Sequence, residues 1–149
     1  MKIMKTTVTK LRLTGLENLD PVSVFLEDFW VGAGQLTIEC FGRSWSATWP
    51  AMGERSISEF VASASTEYIA NSMFSGPRKE PDYDRIAEAI GYDSIDYEGV
   101  LRHEDVVAEA FGPDWRMNLP EKETADWLYL CRIVDAVRIA ARDCQQEAA

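Results

Sequence analysis

A single histidine limits the chemistry open to this 149-residue chain. Any catalytic imidazole or imidazole–metal bond must run through His103, which stands in His103-Glu104-Asp105. Adjacent residues do not face one another on a helix, so the triplet is not an assembled acid–base set. It is not a zinc motif either, since that needs a second histidine a helical turn away. His103 reads as an exposed residue in the first turn of a helix, where Glu104 and Asp105 favour the positive end of the macrodipole.

The other candidates fare similarly. Asp82 with Asp84, and Asp93 with Asp96 and Glu98, offer the hard oxygen ligands that calcium and magnesium take. Neither run carries the twelve-residue EF-hand loop with its central glycine and terminal glutamate, so helix caps and solvated surface are expected there and no metal or cofactor is. Gly32-x-Gly34 lacks the third glycine of a dinucleotide fingerprint and precedes a strand, and no Walker lysine occurs; a hairpin turn is expected. Trp45 and Trp49 lie four apart in a strand pattern and share a face. Without clustered basic residues they cannot hold a nucleic acid backbone for base stacking, and they read as core beneath a helix. Cys40, Cys131 and Cys144 are odd in number, far apart and free of any C-x-x-C, which suits a reducing cytosol.

What remains is charge. Residues 80–126 hold four basic and fourteen acidic side chains, while residues 1–79 and 127–149 are each balanced, so the whole net charge of −10 falls in that stretch. With a pI near 4.5, direct binding to nucleic acid phosphates is not expected. A concentrated negative field draws basic protein surfaces, and carboxylates arrayed along helices can imitate a phosphate backbone. The same field also serves solubility.

The elements that must position these residues divide into two textures. TTVTKLRL (6–13), VSVFLEDFW (22–30), LTIECF (36–41) and WSATW (45–49) read as strands, with Val22, Val24 and Leu26 on one face and Ser23 and Glu27 on the other. Short loops at VGAGQ and at Gly42-Arg43-Ser44 predict an antiparallel meander. Ser56-Ile57-Ser58-Glu59 matches a capping box opening a helix over 56–74. SGPRKEPD (75–82) reads as a linker. Asp82 caps a following helix that ends at Gly91, a further helix over 103–111 ends at Gly112-Pro113, and a final helix over 120–145 starts with Pro120 in its first turn. The fold class is α+β: an N-terminal antiparallel sheet of about four strands with a covering helix (1–76), followed by an acidic helical half (77–149) packed on it in one compact domain. No signal peptide or membrane span is evident.

Three stretches together, TVTKLRLTGLENLDPVSVFLEDF, GAGQLTIECFGRSWSATWPAMG and SISEFVASASTEYIA, carry a likeness that continues in DWLYLCRIVDAVRIA. They resemble a group of small accessory proteins encoded by phages and prophages, most of the chain being covered and residues 75–102 least. The resemblance brings no catalytic residues. It implies a protein of a bacterial host's cytoplasm that binds and blocks a host protein, such as restriction or CRISPR machinery.

The expectation is therefore a non-enzymatic phage or prophage protein, a DNA-mimic inhibitor of a nucleic-acid-handling defence complex. Its contact surface would comprise Asp82, Asp84, Asp93, Asp96, Glu98, Glu104 and Asp105 facing a partner's basic residues. One alternative is a structural or regulatory protein forming a homodimer through the last helix. Another is an enzyme using the acids and a divalent ion.

Overall fold

The computed structural model describes residues 1–148. Four strands, β1 (Thr9–Leu13), β2 (Val22–Trp30), β3 (Ala33–Cys40) and β4 (Arg43–Trp49), form the expected antiparallel meander in the order β1-β2-β3-β4. Alternation sets the register: Val24 stands opposite Leu11 and Ile38, and Ile38 opposite Trp45. Val22, Val24, Leu26, Leu36, Ile38, Cys40, Trp45 and Trp49 are all buried on one face. The opposite face is polar. Arg12 donates to Ser23 Oγ at 2.8 Å, and Thr37 and Ser46 hydroxyls lie 2.9 Å apart.

The helix expected over 56–74 is two helices, α1 (Ile57–Ser63) and α2 (Thr66–Met73). The capping box forms as read: Glu59 N–H donates to Ser56 Oγ at 3.2 Å, and Ser56 N–H to the Glu59 carboxylate at 2.8 Å. A second cap causes the break. Ala64 and Ser65 adopt extended backbone, and Ser65 Oγ accepts from Tyr68 N–H at 3.2 Å, restarting the helix. Trp49 packs on Phe60 with ring centroids 5.2 Å apart, so this tryptophan is core under the helix.

The last helix, α7 (Ala125–Ala148), begins later than Pro120. Residues Glu121–Glu123 instead form β6, which pairs antiparallel with β5 (Lys79–Pro81). Trp127, Leu130, Ile133, Val134, Val137 and Ala141 of α7 join the sheet's hydrophobic cluster. Arg142 Nε donates to Ala62 O at 3.0 Å, and Arg138 donates to Thr66 Oγ1 at 2.8 Å, clasping α7 to both sides of the α1–α2 break.

The chain thus divides into residues 1–75 with 127–149, and residues 76–126. The expected division placed 127–149 with the acidic half. The structure places 127–148 with the sheet, because the apolar stripe of α7 covers its buried face, while Ala149 lies outside the described residues. Within 76–126, α3 (Tyr83–Ile90), α4 (Tyr97–Arg102), α5 (Glu104–Phe111) and α6 (Trp115–Asn118) gather around a small core of Ile86, Val100, Val107 and Trp115. No helix is long and apolar enough to cross a membrane among the described residues.

Candidate functional site

Six of the seven singled-out acids lie at helix starts, and that placement explains much of the charge pattern. Asp82 is the N-cap of α3 and accepts from Arg85 N–H at 3.2 Å; Asp84 lies in the same first turn. Asp96 caps α4, accepting from Gly99 N–H at 2.7 Å, with Glu98 in the turn above. Glu104 and Asp105 open α5, and Asp93 sits in the loop between α3 and α4. Asp82 and Asp96 each satisfy an orphan amide, and the acids in the first turns sit favourably at the positive end of the helix dipole.

Their side chains differ in how far the fold occupies them. Glu104 pairs with Arg116 at 2.7 Å, and Glu98 reaches Arg102 at 3.9 Å, the latter a highly exposed contact of little energetic weight. Asp84, Asp93 and Asp105 are exposed and have no hydrogen-bonded or ion-paired partner among the described residues. Residues 76–126 carry six basic and fourteen acidic side chains, a net −8, against nine and eleven in the remainder of the chain. The negative field is thus a property of one unit.

His103 is half-buried between α4 and α5 and makes no side-chain cap. Its Nδ1 lies 3.4 Å from the Tyr92 hydroxyl, with the rings edge-to-face at 5.1 Å between centroids. That contact corrects the expected exposed position: the imidazole is a packing partner of Tyr92. Among the described residues no three His, Cys, Asp or Glu side chains converge on a point able to hold a metal ion. Among the described residues, Cys40, Cys131 and Cys144 form no disulfide.

Two features escaped sequence reasoning. At the β2–β3 turn Phe29, Trp30 and Val31 are 40%, 66% and 79% exposed. The signal was present, since alternation fails across Asp28-Phe29-Trp30. At the β3–β4 turn Phe41 is 80% exposed with φ of 47°, followed by Gly42 at 72°. This is the sign pattern of a type I′ turn, which a bulky residue adopts only with strain. A cleft of about 480 Å³ beside it is lined by Arg12 and Arg43 against Asp20 and Glu39, so its charges cancel.

No curated protein and no solved structure matches the chain. A family model described as a phage family, Phage_phiTE_072, matches residues 1–143, nearly the whole sequence. That span takes in the sheet, the acidic unit and most of α7 alike, and the chain belongs to this phage family.

Proposed function

We propose that this phage-family protein acts by protein–protein contact and not by catalysis, the acidic unit engaging a basic surface on a host protein that handles nucleic acid. One observation carries the reading: residues 76–126 carry a net −8, and within them Asp84, Asp93 and Asp105 are exposed and have no hydrogen-bonded or ion-paired partner among the described residues. Charge of one sign on one unit steers encounter with an oppositely charged partner and weakens as salt rises. Blocking a nucleic-acid channel in a defence complex is the action that such a surface suits.

The test separates binding acids from structural ones. Asp82, Asp96 and Glu104 serve caps or an ion pair, so the informative variant is Asp84→Asn/Asp93→Asn/Asp105→Asn. A host protein retained by the native chain at low salt should be released at high salt and lost to the triple variant, with the circular dichroism spectrum unchanged. Retention that survives both changes rules out charge-led recognition.

A further inference from the structure

The β2–β3 turn presents an exposed apolar tip on a rigid support. Trp30 and Val31 protrude, yet the turn itself is pinned. Met52 N–H donates to Gly32 O at 2.7 Å, and Gly32 approaches Gly53 so closely that a Cβ would meet Gly53 O at 2.0 Å. Beside the tip lies a cleft of about 400 Å³ whose charged lining is Asp28, Glu54 and Glu59 against one cation, Arg55. Arg55 is committed within the fold, donating to Met52 O and Ser63 Oγ and lying over the Phe60 ring. Glu54 has no partner among the described residues. An exposed tryptophan on fixed backbone, rimmed by carboxylates, is suited to an extended segment that is both basic and apolar.

This chain carries such a segment. Residues 1–8, MKIMKTTV, hold two lysines and no acid, and are exposed throughout, with Ile3 82% and Met4 81% accessible. Their one side-chain contact is from Thr6 Oγ1 to Glu27 at 3.4 Å; Lys2 and Lys5 have no partner among the described residues. The segment also starts from the right place. Thr9 pairs with Leu26, and Thr9 and Glu59 line one cleft of about 450 Å³ that shares Asp28, Ser56 and Glu59 with the cleft at the tip. The root of the arm and the acceptor therefore occupy the same end of the sheet. Two copies meeting tip to tip bring each arm to the other's cleft, the self-complementary arrangement a two-fold dimer requires.

We infer that the protein self-associates by exchanging residues 1–8, each arm laying its apolar side chains on the Trp30 turn of a second copy and its lysines against Glu54 and Glu59. The surface is distinct from the acidic unit, so it stands or falls separately from the proposed host contact.

Light scattering on the full chain should give a mass twice 16.8 kDa that falls to one copy on dilution. Removing residues 2–8 should leave a folded monomer. Trp45, Trp49, Trp115 and Trp127 are buried, so acrylamide quenching of the exposed fluorescence reports Trp30, which the dimer protects and the truncated chain does not. Lys2→Glu/Lys5→Glu and Glu54→Lys should each weaken the dimer about tenfold. Mixing these two variants restores it, because each arm then meets an opposite charge. A full chain that stays monomeric, with Trp30 quenched or with its own arm shielding it, overturns the exchange. So does a dimer that persists without residues 2–8, or a mixture that fails to re-form.

Discussion

The hydroxyl of Tyr129 on α7 lies 3.3 Å from Sγ of Cys40 at the end of β3, although 89 residues separate them. Cys40 Sγ in turn approaches Asp20 O at 3.7 Å, an arrangement in which the thiol donates to the carbonyl and the phenol to the sulfur. The hydrogen bond to Cys40, followed by burial, pushes the Tyr129 pKa up to about 12, against a smaller lowering by Arg43. The fold thus favours the neutral phenol. The stability this contributes is complete below the unfolded value of 10 and is lost as pH rises through about 12. Tyr129→Phe should cost about 1 kcal/mol near neutral pH, and the gap to the native chain should close between those two values. Urea unfolding of both proteins across that pH range measures it, and a constant gap would show that the contact is not linked to ionisation.

Gly32 and Gly15 both have positive φ, at 82° and 70°, but only Gly32 is crowded. Alanine at Gly15 meets nothing within 4 Å and should cost about 1–2 kcal/mol, the left-handed backbone penalty alone. Alanine at Gly32 must also displace the Gly53 carbonyl. With each kcal/mol worth about 2–4 °C in a chain near this size, Gly32→Ala should melt clearly below Gly15→Ala. Equal melting temperatures would mean that the Met52–Gly53 segment moves aside freely.

Ile86 is one of the four buried side chains that form the hydrophobic cluster of the acidic unit, and it is fully buried. Ile86→Ala should cost that unit about 2–5 kcal/mol. Hydrogen exchange should then speed up across α3, α4 and α5 while the amides of β2 and β3 keep their protection. Uniform loss of protection would show that the two cores unfold as one.

The sheet was legible because its residues alternate on a scale the eye can follow: Val22, Val24 and Leu26 had one possible face. The first cap was legible because serine and glutamate stand three apart. The second was not, since Ser65 sits inside a stripe whose helical spacing runs straight across the break. At the break the Ser65 hydroxyl takes the Tyr68 amide and Arg142, from a distant helix, takes the Ala62 carbonyl, a tertiary contact that local spacing does not reveal. The β5–β6 pair was likewise hidden, because Lys-Glu-Pro and Glu-Lys-Glu show no hydrophobic pattern. Among the acids singled out, Asp82 was assigned to its helix from the sequence and caps were expected in the 93–98 run, but which of those acids caps α4, and that Arg116 holds Glu104, depend on where the helices start and meet. The Trp30 tip was missed because exposure depends on what packs above a strand end.

The pairing of Lys79 with Glu123, closed by bonds from Thr124 N–H to Arg78 O and from Asp82 N–H to Pro120 O, brings the two ends of the acidic unit together. No member of the sheet's hydrophobic cluster comes from residues 76–126. Topologically the acidic unit is a cassette: it can be lengthened, recharged or replaced at one seam without removing a side chain from the scaffold's core. Within a phage family, the acidic unit and the sheet scaffold are therefore free to diverge at different rates.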